Sequence, residues 1–441
     1  MSTTLLIPSA LKNLTRDGWL LFLTRFVRLF AYGSLSVILV FYLVGLGLRE
    51  SQVGLLLTLT LAGDIVISLY LSTRADRIGR RRMLIVGAVL MAAAGLAFAC
   101  TSNLVFLIIA GTIGVISPSG NEVGPFLSIE QAALSHVVSS ATRTEVFAWY
   151  TLAGSIATAA GALCGGALTQ VLQANAMTAV KSYRVVVISY AVLGLLLAFV
   201  FSQLSSATET TARDTPSGAR GRPANFFGIH KSRGIILQLS SLFALDSFAG
   251  GFVVQSFAAY WFYLRFGLNP GKLGVIFFWA NVFAGISALL ASRLASRIGL
   301  IRTMVVTHLP SNVLLVLVPL MPNLRLAVLV LLVRFSISQM DVPTRQSYTM
   351  AVVSPEERSA AGGITGVART TGAAASPFFA GLLFARPGLI GVPFFIAGTL
   401  KIIYDLLLYR KFMAVRPTEE TVNCTFISAA EKRNPPGTKT G

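Results

Sequence analysis

The chain has 441 residues, of which 54% are hydrophobic and only 12% are charged, and it carries a formal net charge of +19. Soluble domains carry about 25% charged residues, so this composition excludes a soluble enzyme and a disordered chain. Apolar stretches long enough to cross a bilayer as helices recur along the sequence, whereas the strands of a membrane barrel would be short and alternating. We therefore expect an all-α polytopic membrane protein.

The hydropathy pattern predicts twelve membrane-spanning helices, because an exposed sheet edge would leave backbone groups without partners in lipid. In chain order they cover residues 19–48, 52–71, 83–100, 104–137, 145–169, 183–202, 234–264, 271–291, 303–320, 325–353, 359–385 and 391–409. A polar interval at 203–233, rich in Ser, Thr, Gly, Pro and Arg, indicates a flexible cytoplasmic linker. It separates a six-helix bundle at 1–202 from a second at 234–411, and we expect the polar tail at 412–441 to be cytoplasmic and disordered.

Lys and Arg are distributed unequally between the two sides of the membrane. The tails, the linker and the loops on their side hold 23 of them, and the opposite loops hold seven. Because cytoplasmic loops carry such an excess, we expect both termini in the cytoplasm, in a plasma or inner membrane. The basic residues form no groove with interleaved aromatic residues, so no nucleic-acid partner is implied. Three cysteines without metal-ligand spacing give no reason to expect a metal.

The two predicted bundles repeat each other in sequence. Residues 131–143 align with 346–358 without a gap at a shift of 215, and five positions are identical. Residues 72–82 align with 292–302 at a shift of 220, and six positions are identical. Six helices duplicated in parallel about an axis normal to the membrane are typical of transporters.

The loop between the second and third predicted helices carries a recognisable motif. It reads Ser72-Thr-Arg-Ala-Asp76-Arg77-Ile-Gly79-Arg80-Arg81. This resembles the loop signature of the major facilitator superfamily, Gly-x-x-x-Asp-Arg-x-Gly-Arg-Lys/Arg. Ser72 replaces the leading glycine, and Ser296 replaces the acid in the second copy. The resemblance covers about residues 1–411 and implies twelve helices in two pseudo-symmetric six-helix bundles.

The same resemblance implies a conformational latch between the halves in this loop. In the family, the acid pairs with basic groups and with a helix N-terminus of the other half, as charge pairing and the helix dipole allow. The latch residues would be Asp76, Arg77, Gly79 and Arg80.

The fifth helix partly matches a signature of drug–proton antiporters, Gly-x-x-x-Gly-Pro-x-x-Gly-Gly. Gly161, Gly165 and Gly166 fit this pattern, whereas Ala157 and Ala162 replace its first glycine and its proline. Ordinary packing of small residues explains the glycines equally well. The arginine that antiporters place in the first half of the fourth helix is absent here. The partial match therefore implies export by antiport, although the arginine that is usual in antiporters is absent.

Ionisable residues inside the predicted spans are the candidates for substrate binding and proton coupling, because such residues are costly in lipid. The resemblance implies that helices one, four, seven and ten line a central cavity. The candidates on the last three are Glu122, Glu130, Asp246, Arg334, Asp341 and Arg345. On the first helix we expect Arg25 to snorkel. On the twelfth, Lys401 and Asp405 are four residues apart and should pair, and we interpret His308 as structural.

Prolines and glycines interrupt two of the cavity-lining helices. Pro118, Gly120 and Pro125 lie in the fourth helix, and Pro343 lies in the tenth. These residues cannot continue a straight helix. A break near the midplane exposes backbone groups to a cavity, as in transporter binding sites. The alternative is a simple kink.

Glu130 and Arg345 occupy equivalent positions in the two repeats, each about nine residues or roughly 13 Å from the cytoplasmic end. We expect them to form a charge pair that closes the cytoplasmic side and that protonation of Glu130 opens. Asp341 and Asp246 are the other acids that could take the proton. The alternative is a static ion pair that only fastens the halves.

These features favour a monomeric secondary transporter that exports a small organic solute in exchange for protons. Uptake or exchange of an organic anion is the alternative that Arg28, Arg334, Arg345 and Arg369 suggest. A membrane enzyme and a receptor with a transporter fold are further alternatives. No nucleotide-binding loop or nucleophile–base pair is present, so we expect no cofactor, no enzymatic activity and no ATP-driven transport.

Overall fold

A computed structural model describes residues 11, 14–120, 125–138, 143–209, 232–354 and 357–413, except for the side chains of Asp76, Arg143, Thr144 and Ser359. Glu122, most of the predicted linker and the tail from residue 414 lie outside these residues. The described residues contain no strand. They form fifteen α-helices: α1 (Arg16–Gly45), α2 (Glu50–Ile78), α3 (Arg80–Cys100), α4 (Leu104–Ile113), α5 (Phe126–Val137), α6 (Arg143–Ala174), α7 (Ala179–Ser202), α8 (Arg233–Gly251), α9 (Gln255–Phe266), α10 (Pro270–Ile298), α11 (Leu300–Leu317), α12 (Leu324–Ser338), α13 (Asp341–Ala351), α14 (Arg358–Phe384) and α15 (Val392–Phe412).

The fifteen helices make twelve passes in two bundles. Ten passes are long and apolar enough to cross a membrane, and two of these are the helix pairs α8–α9 and α12–α13. The short apolar helix α4, followed by α5, makes the fourth pass, and the Gly- and Ala-rich α14 makes the eleventh. The predicted all-α fold of twelve transmembrane helices in two six-helix bundles is confirmed.

Two glycines mark equivalent corners of the halves. Gly79 joins α2 to α3 with φ +116°, and Gly299 joins α10 to α11 with φ +86°. Side chains with a Cβ rarely adopt these backbone angles, so each corner favours glycine. The two positions are related by the repeat shift of 220. We call the end of the molecule with these corners the basic end, since it carries Arg74 to Arg82.

The halves are fastened by two symmetry-related helix pairs, α2 with α14 and α6 with α10. A Cβ added at Gly54 would lie 2.9 Å from Cα of Gly381, and one at Gly166 would lie 2.9 Å from Cα of Gly274. The repeat shifts relate Gly54 to Gly274 and Gly166 to Gly381. Glycine therefore lets the backbones approach closely at both crossings, which lie at the end opposite the basic end.

Three passes are interrupted near their middle. In the fourth pass, α4 ends at Ile113 and α5 begins at Phe126, so the interval includes the predicted breakers at 118, 120 and 125. In the tenth pass the interruption lies between Ser338 and Asp341, because Pro343 falls in the first turn of α13, where proline is tolerated. The seventh pass is interrupted at 252–254, which we did not predict. Its signal is the pair Gly250–Gly251, which weakens the helix just before the break.

Candidate functional site

The N-terminal half contains a fully buried ion pair between the first and fourth passes. Arg28 on α1 and Glu130 on α5 form two parallel hydrogen bonds, Nη1–Oε1 at 2.7 Å and Nη2–Oε2 at 2.8 Å. Thr24 donates to Oε1 at 2.9 Å, and the Tyr150 hydroxyl donates to Oε2. Each carboxylate oxygen thus accepts two hydrogen bonds, a donor set that suits an ionised carboxylate.

Aromatic rings enclose this pair. The Arg28 guanidinium lies over the Phe126 ring, 4.7 Å from its centroid. Arg25 lies over the Tyr150 ring at 4.4 Å and is only 6% exposed. The expectation that Arg25 snorkels is therefore wrong, because Tyr150 offers its cation a buried π face.

The C-terminal half carries a second buried ion pair between its first and fourth passes. Arg345 on α13 contacts Asp246 on α8 through Nη1 and Oδ2 at 2.9 Å, and Asp341 through Nη2 and Oδ2 at 3.3 Å. Lys401 on α15 contacts the other oxygen of Asp246 at 2.5 Å. Asp246 therefore lies between two cations.

This second pair continues into a polar network that reaches the ninth and twelfth passes. His308 on α11 contacts Asp405 through Nδ1 at 2.8 Å and lies 3.7 Å from Asp246 through Nε2. Asn312 donates to Asp405 at 2.8 Å. The predicted pairing of Lys401 with Asp405 is wrong, because α15 packs against both α8 and α11, and each supplies a partner. We call these seven residues the C-half network: Asp246, His308, Asn312, Asp341, Arg345, Lys401 and Asp405.

Three members of the network are placed so that they could share a metal ion. The ligand atoms of Asp246, His308 and Asp341 lie within 4.8 Å of one another. Arg345 and Lys401 already bring two positive charges to these carboxylates. The donor set thus fits ion pairs rather than a divalent cation, which would have to displace a buried ammonium or guanidinium.

Glu130 and Arg345 do not pair with each other in this conformation. Each pairs inside its own half, with Arg28 and with Asp246 respectively. The predicted charge pair across the pathway is therefore not formed here. The reason is that α1 and α8 each offer an opposite charge nearer than the other half does.

An uncharged cluster joins the halves at the centre of the molecule. Gln255 at the start of α9 donates to Ser36 on α1 at 2.8 Å and accepts from Asn281 on α10 at 3.1 Å. The backbone N–H of Ser256 donates to the Pro118 carbonyl at 3.2 Å. The break of the seventh pass thus meets the break of the fourth. We call these five residues the central cluster; reasoning from charged residues missed it because none of them is ionisable.

The latch motif has a partner at the start of the predicted linker. The Glu209 carboxylate accepts from the backbone N–H groups of Arg80 at 2.7 Å and Arg81 at 3.1 Å, at the N-terminus of α3. Arg77 is exposed. The side chain of Asp76 lies outside the described part, so a latch to the other half stays a prediction.

Arg334 and Arg369 occupy the same half as the C-half network but are not members of it. Both are partly buried, on α12 and α14. Arg334 lies over the adjacent Phe335 ring at 5.1 Å. Among the described residues, neither donates a hydrogen bond to a side chain or backbone carbonyl, and neither forms an ion pair.

Comparison with known proteins identifies the family to which this architecture belongs. The family model of the Major Facilitator Superfamily matches residues 21–340. The chain belongs to the Major Facilitator Superfamily. It is 30% identical, over 429 residues, to an uncharacterised membrane protein of Saccharomyces cerevisiae, and the match covers 92% of this chain and 96% of that protein.

Solved structures share the fold across nearly the whole chain. The nucleoside transporter NupG has a TM-score of 0.70 at 12% identity and covers 90% of this chain and 99% of its own. A bacterial homologue of the human lysosomal transporter Spinster, in an inward-facing and unoccupied conformation, has a TM-score of 0.69 at 14% identity, covering 91% and 98%. A D-xylose–proton symporter has a TM-score of 0.68 at 16% identity, covering 90% and 97%. At these identities the likeness shows the fold alone.

Proposed function

We propose that this protein is a monomeric, proton-coupled secondary transporter that exports a small organic solute by alternating access of its two halves. The observation that carries the proposal is the buried pair of Arg28 and Glu130 on two passes that face the centre. A charged pair inside a membrane is costly and marks a functional site by default. Membership of a transporter family supports transport in general.

The packing between halves supports alternating access. The glycine crossings of α2 with α14 and of α6 with α10 fasten the end opposite the basic end, and the Tyr260 hydroxyl donates to Glu50 across the halves there at 2.9 Å. With both termini in the cytoplasm, as the distribution of Lys and Arg favours, these contacts close the outer side. Opening that side would break them and bring the basic ends of the halves together.

Glu130 is the acid best suited to carry the proton. Its only described cationic ion-pair partner is Arg28, so protonation would release α5 from α1. A proton on Glu130 would leave one buried cation, Arg28, without its carboxylate, whereas a proton on Asp246 would leave two, Arg345 and Lys401, so Asp246 is less suited. Because α5 is separated from α4 by the break of the fourth pass, the released helix could move as a unit. Glu130 would pair with Arg345 only after it has given up this proton, when the basic ends approach.

Export is the proposed direction because the glycines on the fifth pass match part of the antiporter signature. Gly161 packs against the Phe30 backbone and Gly165 against Ser34, both on α1. This contact couples the fifth pass to the helix that carries Arg28. Uptake or exchange of an organic anion is the second candidate, and the two arginines Arg334 and Arg369 favour it.

The test is transport by the full chain in proteoliposomes with an imposed pH gradient, screened by counterflow with a metabolite panel. We expect Glu130→Gln to lose uphill, pH-driven transport and to retain exchange at equal pH. Glu145→Gln is the matched control, because Glu145 is an exposed glutamate of the same half. Uphill transport by Glu130→Gln with an unchanged pH profile would show that Glu130 does not carry the proton, and Asp341 or Asp246 would become the candidate.

A further inference from the structure

Two guanidinium groups inside the C-terminal half stand apart from every ion pair described there. The Nε atoms of Arg334 and Arg369 are buried and have no hydrogen-bond partner. Both groups nevertheless lie within electrostatic range of Asp246 and Asp341. Among the described residues, neither arginine forms an ion pair with these carboxylates.

We infer that Arg334 and Arg369 bind the carboxylate or phosphate group of a small organic anion, which is the transported substrate. This inference rests on the proposed transport function and names its substrate class. Guanidinium is the side-chain group that best matches the planar geometry of carboxylate and phosphate, because its donors form a rigid fork.

The excess of Lys and Arg in cytoplasmic loops does not explain these two arginines, because neither of them lies in a loop. Arg369 is eleven residues from the start of α14, roughly 17 Å along the helix. Arg334 lies seven residues before Asp341, on the far side of the break in the tenth pass. Both are thus near the middle of their passes, at the level where the fourth, seventh and tenth passes are interrupted. Lipid headgroups do not reach this depth, so the anion is a solute rather than a lipid.

The charged side chains inside the spans of this half do not balance one another. The carboxylates in its spans are Asp246, Asp341 and Asp405, and the permanent cations are Arg334, Arg345, Arg369 and Lys401. These four cations outnumber the three carboxylates by one. Arg345 and Lys401 are committed to ion pairs, so the surplus falls on Arg334 and Arg369. A bound monoanion would balance it.

The arginines that form ion pairs are less suited to bind a substrate. Arg28 and Arg345 each hold a carboxylate of the protein within 3 Å, so neither has its full fork free for a substrate. Of the four arginines that suggested an organic anion from sequence, the structure therefore leaves two for that role.

Binding is tested with the purified full chain in a neutral detergent, by the shift of its melting temperature at constant ionic strength. The probes are matched pairs: gluconate and glucose 6-phosphate against glucose, and adenosine monophosphate against adenosine. We expect at least one anion to raise the melting temperature by several degrees and its neutral counterpart to have no effect. Gluconate separates carboxylate from phosphate recognition, and phosphatidylglycerol micelles test a lipid phosphate.

The variants are Arg334→Gln and Arg369→Gln, with Arg325→Gln as the control on the exposed start of α12. We expect each of the first two to weaken anion binding at least tenfold and the control to leave it unchanged. Without ligand, both should melt at or above the wild-type temperature, because each removes a charge that forms no ion pair among the described residues. Arg334→Lys and Arg369→Lys keep the charge and lose the fork, and should bind the anion with intermediate affinity.

The inference would be overturned if no anion stabilised the protein, if the neutral counterparts stabilised it equally, or if the double variant Arg334→Gln with Arg369→Gln still bound the anion. A melting temperature that falls in the unliganded variants would show that the arginines have structural partners and would also overturn it. Transport of a neutral solute in proteoliposomes would leave the proposed transport function intact while rejecting the anion site. Anion binding without transport would do the reverse.

Discussion

In both halves a buried ion pair connects the first pass to the fourth, but the positions of the cation and the carboxylate are exchanged. In each half the fourth pass is broken, and its segment at the basic end is held to the first pass by a buried ion pair. The repeat shift of 215 places Phe126, the start of α5, at Asp341, the start of α13, and places Glu130 at Arg345. The cation lies on the first pass of the N-terminal half and on the fourth pass of the C-terminal half. The equivalent positions 130 and 345 therefore carry opposite charges.

The surroundings of the two pairs differ more than the pairs themselves. The Glu130 carboxylate forms one ion pair, with Arg28, and also accepts hydrogen bonds from two neutral side chains, Thr24 and Tyr150. Asp246 has three basic neighbours, Arg345, Lys401 and His308. On this contrast we base the proposal that the N-terminal pair switches, whereas the C-half network connects the ninth, tenth and twelfth passes to the seventh.

Exchanging the charges of the N-terminal pair tests whether their inversion between halves matters. The double variant Arg28→Glu with Glu130→Arg restores an internal ion pair but places like charges at the equivalent positions 130 and 345. We expect it to fold and to bind substrate, and its turnover in proteoliposomes to fall to background, because the basic ends cannot approach.

The single variant Glu130→Arg is the comparison, since it leaves two cations together and should fold poorly. Melting temperature and size-exclusion profile separate folding from turnover. Near-normal transport by the charge-exchanged protein would show that Glu130 and Arg345 never meet.

The sequence predicted the fold well because lipid leaves few alternatives to long apolar helices. The repeats predicted which residues are equivalent, as Gly79 with Gly299 shows. They could not predict partners, because two equivalent positions share a depth in the membrane without sharing a contact. Glu130 is bonded to Arg28, and Lys401 to Asp246, through the rotation of each helix about its axis, which spacing along the chain leaves open.

Uncharged contacts were the other feature beyond sequence reasoning. Gln255, Ser36 and Asn281 are ordinary residues in apolar helices, and no rule on ionisable groups singles them out. Only the juxtaposition of two helix breaks brings them together. The interruption of the seventh pass was missed for a different reason, because it lacks a proline and its signal is only the pair Gly250–Gly251.

Removing the acid at the centre of the C-half network should give the largest loss of stability. Asp246→Asn leaves Arg345 and Lys401 in the interior without their shared carboxylate, and breaking a buried pair in this way costs about 3–5 kcal/mol. The free energy of unfolding can be followed by titration with sodium dodecyl sulfate. Asp341→Asn is the matched control, because its single contact with Arg345 is longer, at 3.3 Å, and we expect a smaller loss. Equal losses for the two variants would mean that Asp246 is not the centre of the network.

A smaller loss should follow from removing one neutral member of the network. Asn312 is fully buried and donates to Asp405, while its neighbour Ser311 is also fully buried and its hydroxyl has no hydrogen-bond partner. Asn312→Leu removes a hydrogen bond to a charged group, which is worth about 1.5–3 kcal/mol, and Asp405 then keeps only His308 nearby. Ser311→Ala is the matched control on the same helix and should change the free energy of unfolding little.

Because both residues are on the ninth pass, a loss confined to Asn312→Leu would show that this pass is held by the network rather than by packing alone. If Ser311→Ala costs as much, packing is what holds the ninth pass. The contrast drawn between the two halves would then rest on Asp246 and its ion pairs alone.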